Sequence, residues 1–496
     1  MGHGRREVNE YMIKKRRMFQ QLVSFIEEDT QDAVALITGI RKTGKTTLLL
    51  QLKDHYRHRA LYVDAAKQGD TEDVVLRAFL DRDIDLILID EISYLEDYET
   101  LCQMFFNHAV HDGRMVKVII TGSSPAHIVS LSSTKLGARA KLFRLPLLTF
   151  TEYLYFTDRI SSYADYQHVT NEDFVRYLKM DGMASSTAPA LAITFDENYF
   201  RAFYDEVATS NMASKLTSSL IPLEENDLTD FINILSYKLS EPVSYAKTIA
   251  PTIGGQERIH LAGQGIVAKM SAIDFSASVI QESVRAVGDM TVKSIARMLQ
   301  FLIQSGLATI EYTRTSQDAP LPQPCDILHA LSTANTPQDL TAVFRQISIC
   351  MVSPLFYTRI GVDLLNRAGV DVSALYSGML YGKMLELYIR GAVCLHQNKR
   401  VMSVQKLNFL DGEVDIWDKS TRILCEVTVA DKRGSHVHLA KYFPETPLVR
   451  VCTSHSKDYF DERNMFHWIS YAKFCCMLDT GDVQTLQATD GKKGQD

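Results

Sequence analysis

The sequence predicts an α/β protein whose N-terminal third is a parallel sheet flanked by helices. Three observations predict this. The apolar run Ala33-Val34-Ala35-Leu36-Ile37-Thr38 leads into Gly39-Ile40-Arg41-Lys42-Thr43-Gly44-Lys45-Thr46-Thr47, and Thr47-Leu48-Leu49-Leu50-Gln51-Leu52 then reads as a helix start. A second apolar run, Leu86-Ile87-Leu88-Ile89, ends in Asp90-Glu91. A third, Val116 to Thr121, ends in Gly122-Ser123-Ser124. Strands that are apolar at nearly every position suit a sheet covered on both faces, as parallel sheets are.

The first element carries the chemistry. A glycine, four residues, then Gly-Lys-Thr, between a strand and a helix, is the pattern of a phosphate-binding loop. Its glycines let the backbone turn its N–H groups inward, and the helix N-terminus adds partial positive charge at the same place. Residues 39–47 are therefore the expected ATP-binding loop. Lys45 is expected on the β- and γ-phosphates, and the Thr46 hydroxyl on Mg2+. At the end of the second run, Asp90 is expected to hold the magnesium's shell and Glu91 to act as general base on the attacking water. Ala60 to Asp64 reads as a strand between these two motifs, and Thr71-Glu72-Asp73 opens a helix over 71–80. The extra strand and the glutamate after Asp90 point to the additional-strand class of P-loop ATPases. They argue against the kinase and GTPase branch. At the tip of the third run, Ser123 is the first candidate and Thr121 the second for sensing the γ-phosphate.

Composition bounds the rest. The chain has 496 residues, 46% hydrophobic and 23% charged, which suits about three globular domains with sizeable cores. A net charge of −7 argues against general coating of nucleic acid but leaves room for a local basic face. No run reaches membrane-span length, and Met-Gly-His-Gly-Arg-Arg-Glu lacks a signal-peptide core. Eight cysteines without a Cys-x-x-Cys suit reduced thiols. The expected location is the cytoplasm. Residues 9–28 carry apolar residues at helical spacing around Lys14-Lys15-Arg16-Arg17. They read as a helix beside the first strand with its basic side in water, or as a nucleic-acid contact.

The segments 39–47, Ile89-Asp90-Glu91-Ile92, Thr121-Gly122-Ser123-Ser124, Gly137-Ala138-Arg139 and Leu145-Pro146-Leu147-Leu148-Thr149-Phe150-Thr151-Glu152-Tyr153 follow in one order. In this order they resemble a widespread group of prokaryotic AAA-type ATPases. The resemblance is clear over roughly residues 15–155. It implies ATP hydrolysis, a homo-oligomer as a candidate assembly, and Arg139 as an arginine finger. It also implies a C-terminal domain like the PD-(D/E)xK nuclease fold.

The expected organisation is an AAA-type domain over 1–160, a helical lid and winged-helix domain over 161–325, and a mixed α/β PD-(D/E)xK-like domain over 326–496. In the middle, helices over 277–287 and 291–304 and a strand from Gly306 to Tyr312 make a winged-helix pattern. Lys293, Arg297 and Gln300 are its candidate DNA-facing residues, weighed against a winged helix used only for packing. In the last domain, a helix over 379–391 carries Glu386. Asp411-Gly412 marks a hairpin between strands at 401–409 and 413–417, and Ile423 to Val429 forms the next strand. Glu386, Asp415 and Glu426 are expected to converge as a second candidate metal site. Thr428 stands where the nuclease pattern asks for lysine. Lys406 and Lys432 are substitutes, and weak or absent DNA cleavage is expected.

Three functions follow: an ATP-hydrolysing protein that uses nucleotide state as a switch; a DNA-directed protein whose ATPase gates a nuclease-like domain; and a non-hydrolysing ATP-binding interaction protein.

Overall fold

The computed structural model describes residues 14–28, 32–39, 43–67, 71–94 and 140–179, and parts of 101–122, 293–351, 382–393, 405–428 and 448–483. The described residues through Glu152 belong to one compact unit, and those from Tyr153 onward to another.

The first unit contains α1 (Arg17–Glu27), β1 (Val34–Thr38), α2 (Lys45–Tyr56), β2 (Ala60–Asp64), α3 (Thr71–Leu80), β3 (Leu86–Asp90), β4 (Lys117–Thr121) and β5 (Ala140–Arg144). Helix α4 (Phe150–Phe156) begins in it. Its sheet is parallel throughout, with strand order β2-β3-β4-β1-β5. Every residue of β1, β3 and β4 is buried. Period-two alternation explains the unbroken apolar runs. Ala35, Ile37, Leu86, Leu88 and Ile119 face a core built with α1 and α2. Val34, Leu36, Ile87, Ile89, Val118 and Ile120 face a second core built with α3. Each valine, leucine or isoleucine among them, fully buried, contributes about 1.5–3 kcal/mol.

Two expectations are refined here. The strand separating the phosphate-loop strand from the Asp90 strand in space is β4; β2, which separates their motifs in the chain, lies at the sheet edge beyond β3. The basic run before α1 is not simply a solvated face. Helix α1 buries Met18, Phe19, Leu22, Val23 and Phe25. Lys15 Nζ lies 3.8 Å from the centre of the Phe19 ring, and Arg16 turns into the protein.

The second unit contains α5 (Asn171–Lys179), β6 (Ala308–Tyr312), α6 (Pro324–Thr333), α7 (Pro337–Val343) and β7 (Ile347–Met351), then helical residues between 382 and 393. After these come β8 (Gln405–Phe409), β9 (Gly412–Asp418), β10 (Ile423–Thr428), β11 (Leu448–Cys452), β12 (Tyr459–Asp461), β13 (Phe466–Ser470) and α8 (Tyr471–Thr480). At the start of helix α5 the Asp173 carboxylate reaches back to Thr170: Thr170 N–H donates to Asp173 Oδ2 at 2.9 Å and the Thr170 hydroxyl donates to the same oxygen at 3.0 Å. Its Phe174 ring packs edge-on against Tyr388 and Tyr471, with centroids 5.2 Å from each. Strands β8 to β13 form one mixed sheet, order β8-β9-β10-β11-β13-β12. Strands β8 and β9 pair antiparallel, but Phe409 stands opposite Gly412, so Gly412 belongs to β9 and not to the turn expected at Asp411-Gly412. The parallel strands β11 and β13 and helix α8 were not expected from the sequence. Strand β6 pairs antiparallel with β7. Of the expected middle helices, 277–287 lies outside the described residues. In the next helix Gln300 is buried, at 4% exposure, rather than turned to solvent for DNA.

Candidate nucleotide site

The phosphate loop starts where β1 ends and finishes in the first turn of α2. Its glycines serve different needs. Gly44 has φ +93° and caps α2 at its N-terminus, a left-handed backbone that costs an L residue about 1–2 kcal/mol. At Gly39 a Cβ would lie 2.5 Å from the Leu145 carbonyl oxygen, so the limit there is close approach of two backbones. Lys45 is buried, and its Nζ donates to the Gly39 carbonyl oxygen at 2.7 Å. The ammonium thus folds back over its own loop. Ile40, Arg41 and Lys42 lie outside the described residues. Thr46 and Thr47 stand in the first turn of α2.

In a parallel sheet all carboxyl ends share one edge, where ligands of such folds bind. Ile37 of β1 pairs with Thr121 of β4, and Ile89 of β3 pairs with Ile120. The loop after β1 and the acids after β3 therefore emerge on either side of the tip of β4. Asp90 is 2% exposed. Two hydroxyls orient its carboxylate: Thr121 donates to Oδ1, and Tyr62 donates to Oδ2 at 3.2 Å. Burial first, then the Asp90 charge, raises the Tyr62 pKa far above its ordinary value, so Tyr62 stays protonated and remains a donor. Thr121, second candidate for γ-phosphate sensing, is a direct partner of Asp90. Tyr62 was not singled out from sequence; only the β2–β3 pairing brings it beside Asp90.

Glu91 follows directly and has φ 55°. A non-glycine residue held there carries strain that clusters at functional positions. Its charge also acts on Tyr62. Asp90 and Thr46 supply the hard oxygen donors magnesium prefers, and this metal commonly takes few protein ligands beside phosphate and water. Ser123 and Arg139 lie outside the described residues.

The carboxylates of the second unit are a separate matter. Glu386, Asp415 and Glu426 are each 6% exposed. Asp415 and Glu426 are the chain neighbours of the paired Ile416 of β9 and Cys425 of β10. Burial first, then the charges of Asp415, Glu426 and Glu386, pushes the Cys425 thiol well above its usual pKa. The three acids thus share one buried neighbourhood. Arg390 is fully buried; its Nη2 donates to Glu386 Oε1 at 2.7 Å and to the Asp415 carbonyl oxygen at 3.1 Å. Asp415 Oδ2 accepts from Val427 N–H at 2.8 Å. Among the described residues no three His, Cys, Asp or Glu side chains are grouped to hold a metal ion. A guanidinium meets Glu386 and a backbone amide meets Asp415, so the second metal site expected at Glu386, Asp415 and Glu426 stands as a proposal. On β9, Val414, Asp415, Ile416 and Asp418 are all buried.

Among the described residues no helix is long and apolar enough to cross a membrane. Residues 31–154 match the family model described as an AAA domain. An uncharacterized protein of Methanocaldococcus jannaschii is 30% identical over 156 residues, 28% of this chain and 31% of that protein. An uncharacterized protein of Haemophilus influenzae is 25% identical over 159 residues, 29% of this chain and 38% of that protein. The chain thus matches about a third of the length of these relatives. Two solved structures are also similar. One, described as a DNA replication initiation factor, is 14% identical with TM-score 0.24, over 58% of this chain and 85% of that one. The other, the Thermotoga maritima RuvB Holliday junction branch migration motor, is 13% identical with TM-score 0.23, over 64% and 94%. The five-stranded parallel sheet lies within the stretch 31–154, which is similar to an AAA domain.

Proposed function

We propose that the chain binds ATP with magnesium at residues 39–47 and hydrolyses it, using nucleotide state as a conformational switch. The observation that carries this reading is the pairing of the phosphate loop with a buried Asp90 that two hydroxyls orient at the same sheet edge. Lys45 would leave the Gly39 carbonyl for phosphate oxygens. Thr46 and Asp90 would hold magnesium, which when bound offsets phosphate charge. Glu91 would take the proton of the attacking water. Ser123 and Arg139 complete the proposal as γ-phosphate sensor and arginine finger. A strained backbone directly after Asp90 supports hydrolysis over binding alone, because a purely structural nucleotide needs no aimed carboxylate.

Turnover of ATP by the full chain, with and without magnesium, tests this. The wild type should release phosphate only with magnesium. Glu91→Gln should retain ATP binding and lose roughly 10²-fold or more in rate. A Glu91→Gln protein that turns over ATP at the wild-type rate would remove Glu91 as the base.

A further inference from the structure

The basic run ahead of α1 contains a residue built into the phosphate loop from outside it. Arg16 has a side chain 11% exposed, and the Glu152 side chain it meets is 4% exposed. All five guanidinium N–H donors are engaged. Nε donates to Glu152 Oε1 at 3.0 Å, and Nη2 to Glu152 Oε2 and, at 3.3 Å, to the Leu147 carbonyl oxygen. Nη1 donates to the carbonyl oxygens of Thr43 at 2.8 Å and Pro146 at 2.9 Å. An arginine so occupied is neither a solvated charge nor a contact for nucleic acid.

Each partner is itself held. Thr149 N–H donates to Glu152 Oε2 at 3.1 Å, while Glu152 N–H donates to Thr149 Oγ1 at 3.3 Å, a capping box on the first turn of α4. Arg17 N–H donates to Glu152 Oε1 at 3.0 Å. Segment 145–147 also abuts the other end of the loop, because Leu145 N–H donates to the Thr38 carbonyl oxygen at 2.7 Å and the Leu145 carbonyl fills the space a Cβ would need at Gly39. Gln51 Nε2 of α2 donates to the Lys14 carbonyl oxygen at 3.1 Å.

We propose that Arg16, held by Glu152, is a positioning residue for the phosphate loop: it fixes the Thr43–Gly44 peptide so that the loop binds the phosphates of a nucleoside triphosphate. This rests on the nucleotide reading above. The carbonyl and N–H of a trans peptide point in opposite directions. Anchoring the Thr43 carbonyl on Arg16 therefore turns the Gly44 N–H away from Arg16, and Gly44 is free to hold that orientation at φ +93°. Preorganised loop amides bind an anion without first being ordered. The same guanidinium joins the loop to α4, so that nucleotide occupancy and the order of 145–152 rise and fall together.

The test is ATP titration of the full chain, with thermal midpoints, for wild type, Arg16→Lys, Arg16→Ala and Glu152→Gln. A lysine ammonium keeps the charge opposite Glu152 but has three donors and no fork to span Thr43, Pro146 and Glu152. Arg16→Lys should keep a near-native midpoint, bind ATP roughly tenfold more weakly, and raise KM with kcat held. ATP affinity equal to wild type in Arg16→Lys, or affinity losses that merely follow the midpoints across the series, would overturn the proposal. A wild type that binds no ATP would instead remove the nucleotide reading itself. Should the variants fail to fold, amide exchange in the wild type decides: ATP should slow exchange in 145–152 as well as in 39–47, and unchanged exchange in 145–152 overturns the link.

Discussion

Asp90 illustrates how single residues divide the work. The sequence shows a carboxylate after an apolar run; the fold adds the two hydroxyls that aim it. Tyr62→Phe removes one of them, and turnover at saturating ATP and magnesium should fall roughly tenfold, measured by phosphate release; unchanged turnover would mean that Thr121 alone orients Asp90. Glu152 yields a pH prediction. Burial alone would raise its pKa, but the Arg16 charge and hydrogen bond, with the N–H groups of Thr149 and Arg17, outweigh it and hold the carboxyl below its ordinary 4.5. A depressed carboxyl contributes stability that is complete above the unfolded value and is lost as pH falls through the folded one. Glu152→Gln should therefore be less stable than wild type at neutral pH, with the gap closing below about pH 4; urea midpoints that stay equally far apart across that range would contradict this. The phosphate loop was legible because its chemistry is carried by local spacing. Arg16 and Glu152 were not joined in the sequence reading, because 136 positions separate them. Only Thr149-x-x-Glu152, a capping pattern, marked one end of that pair.

At the scale of elements, the apolar runs identified β1, β3 and β4, and two-faced burial is the reason they could. Spatial order was less legible: chain order suggested β2 between the two motifs, whereas β4 occupies that place. A parallel sheet is wound through crossovers, so neighbours in the chain need not be neighbours in the sheet. In the second unit a turn signal marked the β8–β9 hairpin, but its position was off, since Gly412 pairs within β9. The buried Arg390 was not singled out in the sequence: Glu386 and Arg390 stand i, i+4 on one helix, a charge pair that reads from sequence as surface. The loop-to-helix junction is also an element property. Gly44→Ala leaves room for the methyl group but not for the backbone angle. It should lower stability by about 1–2 kcal/mol and weaken ATP binding; a variant as stable as wild type in urea would show that the left-handed turn is not required.

For the whole molecule, the two units differ in what they make testable. The first carries the proposed nucleotide chemistry, and Arg139, just ahead of β5 in the chain, is the proposed link between copies. If it acts on a neighbouring subunit, specific turnover should rise with protein concentration, and Arg139→Ala should slow hydrolysis while leaving ATP affinity almost intact. A specific rate independent of concentration, in a chain that stays monomeric, would exclude action between subunits. The second unit, with its acids held by Arg390 and a backbone amide, should show no magnesium-dependent DNA cleavage; cleavage abolished by Asp415→Ala would contradict that. Calorimetric titration of ATP and magnesium into wild type and Lys45→Ala tests the central claim most directly. Saturable binding by the wild type, lost in a folded Lys45→Ala, is the predicted result, because a charge-assisted phosphate contact in a shielded loop disappears. Equal affinity in the two proteins would contradict it.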